Sequence, residues 1–300
     1  MTDDKWEKQV MKKVRFMTNY IWNGINFSDV EAFLANFGND KTVGLVLLDM
    51  LIYYSCEQEE FIIENLIRLL NRELWISDKI GDRNQSTNII KENLNEIYSN
   101  MCFIPVNDHD PSDSAFSLSS MYKKSEYVPR TIEFIKVEDI PLMIAMKRKY
   151  FVFYDDVIGT GKQFRDFWSV TPHFGKSHSV TLKEISEKNP DVHFYYLVFG
   201  GYKESIDKLE AQFPNLKIIV SEVFTSDYSV FDDDNEYWEF NGDKKELVLD
   251  YISKKEKELK CKSPFSLNLP LLFQHSRASN TSLSLYWFRQ PDKWKELYRR

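Results

Sequence analysis

Apolar residues in the first part of the chain recur at helical spacing. Trp6, Val10, Val14, Met17 and Ile21 follow one another at intervals of four and three, which puts them on one face of a helix. Ser28-Asp-Val-Glu31 has the form of a capping box, with Val30, Phe33, Leu34 and Phe37 behind it and Gly38 as a stop. Residues 41–54 are almost continuously apolar, and this run predicts a mostly buried helix. Ser55-Cys-Glu-Gln58 caps a further helix carrying Phe61, Ile62, Leu66, Leu69 and Leu70 on one side. The polar stretch 77–86 then reads as a joint.

Beyond the joint the period changes. Short β-rich runs at 101–106, 151–154, 193–199 and 216–224 alternate with helical patterns at 89–98, 164–168, 182–187 and 204–213. Such alternation predicts a parallel sheet with right-handed crossovers. A charged surface helix is expected over 244–259. A late strand is expected over 267–273, at an edge because Pro270 interrupts it. The expected organisation is therefore an all-helical region over 1–85 and an α/β domain over 86–300.

Composition narrows the class. The chain is 43% hydrophobic and 28% charged, as a soluble globular protein should be. Its net charge of −7 argues against a surface that coats nucleic acid without regard to sequence. The opening Met1-Thr-Asp-Asp-Lys5 is acidic, so no secretion signal is expected there. The most apolar run carries Asp49 and is too short to span a bilayer, so no membrane association is expected. Cys56, Cys102 and Cys261 are scattered and lack metal-ligand spacing, and free thiols suit a reducing cytoplasm. The acid run Asp232-Asp-Asp-Asn-Glu236 lacks the ligand spacing of an EF-hand and is read as an exposed loop.

The chemistry concentrates at one place. Phe151-Val-Phe-Tyr154 is a buried strand, followed by Asp155 and Asp156, and then by Val157-Ile158-Gly159-Thr160-Gly161-Lys162-Gln163. In open α/β sheets ligands bind at the carboxyl ends of the strands. A two-glycine turn can bring several backbone N–H groups onto one phosphate, and the following helix adds the positive end of its dipole. Two acids beside such a cradle suit a sugar phosphate. A Walker A nucleotide loop does not fit: Asp156 stands where its first glycine belongs, and Gln163 follows Lys162 in place of Ser or Thr.

The same residues resemble the phosphoribosyl-pyrophosphate (PRPP) loop of the type I phosphoribosyltransferases: four hydrophobics, two acids, then a small-residue turn containing Thr-Gly. The resemblance implies a type I phosphoribosyltransferase-like Rossmannoid parallel sheet, an α/β fold, with the N-terminal all-helical region in front of it. It implies that Asp155 and Asp156 are the catalytic pair at the ribose hydroxyls. Val157, Ile158, Gly159, Thr160, Gly161, Lys162 and Gln163 would wrap the 5′-phosphate. Gln163 departs from the family, which usually has Thr or Ser there. The connection after the first strand, the serine-rich stretch 111–120, would hold diphosphate through Asp113 and Ser114, with Lys123, Lys124 and Arg130 as neutralising cations. Mg2+ would come with the diphosphate, without direct protein ligands.

A second resemblance lies in the tail. Gln274-His275-Ser-Arg277-Ala-Ser-Asn280-Thr281, running on to Trp287, is similar to a C-terminal signature of phosphoribosyltransferase-like effectors of bacterial conflict systems. That group acts in anti-phage defence, and part of it is associated with retron reverse transcriptases. Where the group tends to have Pro-Asn-Asn-Thr, this chain has Ala278-Ser-Asn-Thr281. His275, Arg277, Asn280 and Thr281 could read a base or a phosphate, and His275 fits a satisfied structural histidine equally well.

The resemblance implies an effector that binds PRPP or a ribose-5-phosphate nucleotide. Its activity would be ribosyl or phosphoribosyl transfer (a pentosyl glycosyltransferase) or another nucleotide modification. The alternative is a non-catalytic sensor or scaffold that binds a phosphoribosyl ligand, a retron reverse transcriptase complex or another defence protein.

Overall fold

A computed structural model of the chain describes residues 3–77, 86–106, 114–169, 173–174, 178–261, 267–275, 281–290 and 292–298. Helices α1 (Asp3–Tyr20), α2 (Phe27–Ala35) and α3 (Lys41–Met50) lead into β1 (Ile52–Tyr54) and α4 (Cys56–Ser77). Next come α5 (Thr87–Ser99), β2 (Met101–Pro105), α6 (Ser114–Lys124), β3 (Glu133–Phe134), α7 (Ile140–Ala145) and β4 (Tyr150–Ile158). They are followed by α8 (Lys162–Ser169), β5 (His173–Phe174), β6 (His178–Ser179), α9 (Leu182–Lys188), β7 (His193–Tyr202), α10 (Lys203–Gln212) and β8 (Leu216–Phe224). The last elements are α11 (Glu236–Leu259) and β9 (Leu271–Phe273).

The chain forms two compact units: Met1–Glu59 with Phe224–Arg300, and Glu60–Val223. This partition differs from the expected division at residue 85, and the reason is packing. The apolar faces of α1, α2 and α3 share one core with α11 and the segment beyond it. Trp6, Val10, Val14, Phe33 and Phe37 lie in the same cluster as Val248, Ile252, Tyr286, Trp294 and Leu297. Phe33 and Phe37 meet Trp294 edge-on at 6.0 and 5.2 Å, and the Tyr286 hydroxyl donates to the Leu47 carbonyl at 2.7 Å. Two stretches of chain at opposite ends are thereby held by burial of large aromatic area.

The buried run 41–54 is not one helix. It leaves helical geometry at Leu51, whose ψ is 122°, and Ile52–Tyr54 pair in parallel with Leu271–Phe273. A β-branched residue and two tyrosines favour this pairing, and the Tyr54 ring stacks on Phe273 at 5.1 Å. The expected late strand is thus shorter than 267–273, and its described partner is β1 alone.

The second unit carries a five-stranded sheet in the order β3-β2-β4-β7-β8. The pairs β2–β3, β2–β4 and β4–β7 are parallel. Both faces are covered, as an all-parallel sheet requires. Phe151, Phe153, Phe194 and Tyr196 pack with Phe164, Phe167 and Trp168 of α8, Leu182 of α9 and Leu209 of α10. On the other face Tyr122 of α6 packs on Phe103 and Tyr154, with ring centroids 5.8 and 4.7 Å apart. Along β8, Asn65 of α4 donates to Ser221 at 2.9 Å. Among the described residues, no helix is long and apolar enough to cross a membrane.

Candidate functional site

The sheet is built so that β4 ends at a point where chain direction switches. β2 and β4 are neighbours, and the helices that follow them lie on opposite faces. α6 covers Tyr154, while α8 covers the adjacent Phe153, and successive side chains of a strand point to opposite faces. Such a switch point, at the carboxyl ends of parallel strands, is the general ligand crevice of open α/β sheets. β2 pairs with β4 as far as Tyr154, opposite Pro105, whereas β7 continues alongside Asp155, Val157 and Ile158.

The acid pair therefore stands inside the strand, not after it. Expected to end at Tyr154, the strand runs to Ile158 because β7 continues beside it, pairing with Asp155, Val157 and Ile158. Asp155 and Asp156 are both buried, at 2% and 8% exposure. As consecutive strand residues they lean to opposite faces of the sheet. Asp155 shares its face with Phe153, and its Oδ2 accepts a hydrogen bond from the Tyr196 hydroxyl at 3.2 Å. Its Oδ1 accepts from the Asp156 N–H at 2.9 Å, and Asp156 Oδ1 accepts from the Val157 N–H at 2.7 Å. Burial first, and then the Asp155 carboxylate, hold the Tyr196 phenol well above its usual pKa, so it remains a donor.

After Ile158 the turn Gly159-Thr160-Gly161 leads into α8. Gly161 has φ +69°, a conformation that side chains other than glycine's disfavour. A Cβ there would come within 3.2 Å of Leu209 Cδ1. The N–H of Lys162 donates to Thr160 Oγ1 at 3.3 Å, and the Arg165 guanidinium donates to the Thr160 carbonyl at 3.2 Å. The turn is thus tied to the first turn of α8, whose amino end carries the positive pole of the helix dipole. The exposed Lys162 ammonium pairs with Asp166 one turn along α8. Across the sheet edge Val157 and Ile158 face Gly200 and Gly201 of β7. A Cβ on Gly201 would lie 2.8 Å from Ile206 Cδ1, so glycine permits that close approach.

A family model described as PRTase-CE matches residues 30–300. The chain belongs to the PRTase-CE family. This is a phosphoribosyltransferase-like family, and the mixed α/β fold, with a parallel five-stranded sheet that follows N-terminal helices in chain order, agrees with it. No curated protein matches the chain.

The remaining site expectations separate. The serine-rich connection is not all loop, because Ser114 opens α6. Leu118 and Tyr122, four residues apart and both fully buried, give that segment its helical face. Lys123 and Lys124 stand in the last turn of α6, with the Lys123 ammonium 5.3 Å from the Phe134 ring. Phe134 pairs with Phe103, two rungs back along β2 from the Pro105–Tyr154 rung, so Lys123 lies away from the carboxyl edge. The Arg130 guanidinium donates to the Lys123 carbonyl at 2.8 Å. Asp113, Arg277 and Asn280 lie outside the described residues. His275 and Thr281 are buried and belong to the unit that does not contain Asp155. No group of three or more His, Cys, Asp or Glu side chains converges as a metal site among the described residues.

Sequence reasoning missed the polar groups beneath the acids. In the sequence Tyr196 stands inside the hydrophobic strand pattern 193–199. Ser119 and Tyr154, whose hydroxyls lie 2.7 Å apart, fall within a serine-rich stretch and a hydrophobic strand run. Tyrosines in a doubly buried strand are the available signal, since a buried phenol needs a hydrogen-bond partner.

Proposed function

We propose that the Asp155–Gln163 turn binds PRPP or a nucleotide bearing ribose 5-phosphate, and that the chain transfers the ribosyl or phosphoribosyl group. The observation that carries this reading is one constellation at the carboxyl end of β4. Two buried carboxylates precede a positive-φ glycine turn that runs into a helix amino end. Family membership supports it at the coarse level of a phosphoribosyltransferase-like protein.

In the proposed reaction the bond from ribose C1 to the diphosphate oxygen breaks, and its electron pair leaves on the diphosphate. An acceptor nucleophile forms the new bond to C1, which passes through an oxocarbenium-like state. The chain's own residues would act by position and charge. Asp155 and Asp156 would accept hydrogen bonds from the ribose hydroxyls, and the N–H groups of 157–163 would hold the 5′-phosphate. Mg2+ would arrive on the diphosphate as part of the substrate, a role that asks of the protein no cage of its own.

The proposed setting is the bacterial cytoplasm, in anti-phage defence, with a retron reverse transcriptase complex or another defence protein as partner. The tail resemblance supports that setting. A second reading, a binding protein without catalysis, is favoured by two observations. Gln163 replaces the usual loop hydroxyl, and the Lys162 charge is engaged by Asp166.

Metabolite profiling separates the two. Cells expressing the wild-type chain together with its trigger should show a depleted or modified nucleotide pool, and Asp155→Ala/Asp156→Ala should abolish the change. Unchanged pools with full biological activity in the double variant would establish the binding role instead.

A further inference from the structure

We infer that Tyr196 is a positioning residue that orients Asp155 toward the sugar of the ligand and links that orientation to the phosphate turn. This deepens the proposed function and rests on reading the turn as a ribose-phosphate site. Tyr196 sits in β7 opposite Phe153, two residues back from Asp155, and is 1% exposed. From there its hydroxyl reaches Asp155 Oδ2 at 3.2 Å. Its ring stacks on Phe164 with centroids 4.1 Å apart and planes 20° from parallel. Phe164 is the third residue of α8, the helix that opens directly after Gly161.

One rigid side chain therefore touches both halves of the site. Its phenol fixes the rotation of an acid, and its ring holds the first turn of the helix that follows the phosphate turn. Burial above all raises the Tyr196 pKa, so the phenol is neutral throughout the physiological range and donates without competition from water. A carboxylate accepts about four hydrogen bonds, so donors from the protein are compatible with engagement of a ligand hydroxyl. Without the phenol, Asp155 Oδ2 loses a donor that helps to set its rotation about the Cα–Cβ and Cβ–Cγ bonds. The site would then still accept phosphate and lose its hold on the sugar.

The measurable quantity is the sugar increment, the ratio of the dissociation constants for methyl phosphate and ribose 5-phosphate. Titration calorimetry, with competition for the weaker ligand, reads both in the full-length chain. The wild-type chain should favour ribose 5-phosphate, and Tyr196→Phe should reduce the increment roughly ten-fold, the order expected for hydrogen bonds to a charged acceptor. Methyl phosphate affinity should stay within about two-fold, a selectivity that general loosening of the fold would not produce. Phe164→Leu keeps the phenol and removes the stack, so it should lower the increment by a smaller factor and serves if Tyr196→Phe does not fold. An increment unchanged in both variants, with a wild-type chain that discriminates, overturns the role of Tyr196 while leaving the site. A wild-type chain that binds neither ligand overturns the site reading and this inference with it.

Discussion

His275 Nδ1 lies 2.8 Å from Glu59 Oε1, and both side chains are shut away from solvent. The same oxygen accepts the His275 backbone N–H at 3.3 Å, and the neighbouring Gln274 side chain accepts the Cys56 N–H at 2.8 Å. The Ser55–Glu59 turn that opens α4 is therefore fastened to the segment after β9, inside the first unit. This geometry favours the structural reading of His275. Removing one partner from a buried polar contact costs about 1–3 kcal/mol, because the other is left unsatisfied. Glu59→Ala and His275→Ala should each lower stability by that order in urea unfolding. The double variant should lose clearly less than the sum. Additive losses would mean that the two groups do not act together.

Gly161 provides a sharper test of the turn. Its positive φ and its closeness to Leu209 both oppose a side chain. Gly161→Ala should cost about 1–2 kcal/mol of stability from the left-handed backbone alone and weaken ribose 5-phosphate binding. Gly242→Ala is the control. Gly242 is an exposed helical residue with open space around it, so alanine there should stabilise by about 0.5–1 kcal/mol. Equal effects at the two positions would contradict the described turn.

Lys162 and Asp166 form an exposed ion pair along α8, with side chains 58% and 50% accessible. Such pairs contribute about 0–1 kcal/mol. Lys162→Ala should therefore leave thermal unfolding nearly unchanged while weakening phosphate affinity, since a lysine acts on phosphate as a point charge. A large loss of stability would show that the lysine serves the fold.

High pH should unfold the protein through its buried tyrosines. Burial raises the phenols of Tyr122 and Tyr196 well above their usual range, raises that of Tyr154 and pushes that of Tyr251 up to about 12. A phenol with a raised folded pKa holds its proton in the folded state where the unfolded chain releases it. Stability is then fully present below the unfolded pKa of about 10 and is lost as pH rises above it. Absorbance of tyrosinate, followed with circular dichroism, should show most tyrosines ionising together with unfolding. Ionisation of the buried set in a chain that stays folded would contradict the packing.

Much of this architecture was legible because it is local. The runs 101–106 and 216–224 match β2 and β8 closely, and the acid pair with its Gly-Thr-Gly turn lies at the switch point expected of such a motif. What stayed hidden depends on distant partners. β1 exists because Leu271–Phe273 lies beside it, and no pattern within 41–54 announces that strand. α6 was concealed because serine favours turns locally, while the helical period there rests on Leu118 and Tyr122. The Tyr196–Asp155 bond depends on the β4–β7 register, which aligns Asp155 with Val198. A one-residue slip would send that phenol to the other face.

The central claim is that the Asp155–Gln163 turn holds a ribose phosphate, and calorimetry with PRPP in the presence of Mg2+ addresses it most directly. The account predicts saturable binding by the wild-type chain. Asp156→Asn should weaken it by roughly ten-fold or more, through loss of charge-assisted hydrogen bonds to the ribose. Heats of dilution alone with PRPP and with ribose 5-phosphate, from a folded wild-type chain, would contradict the account.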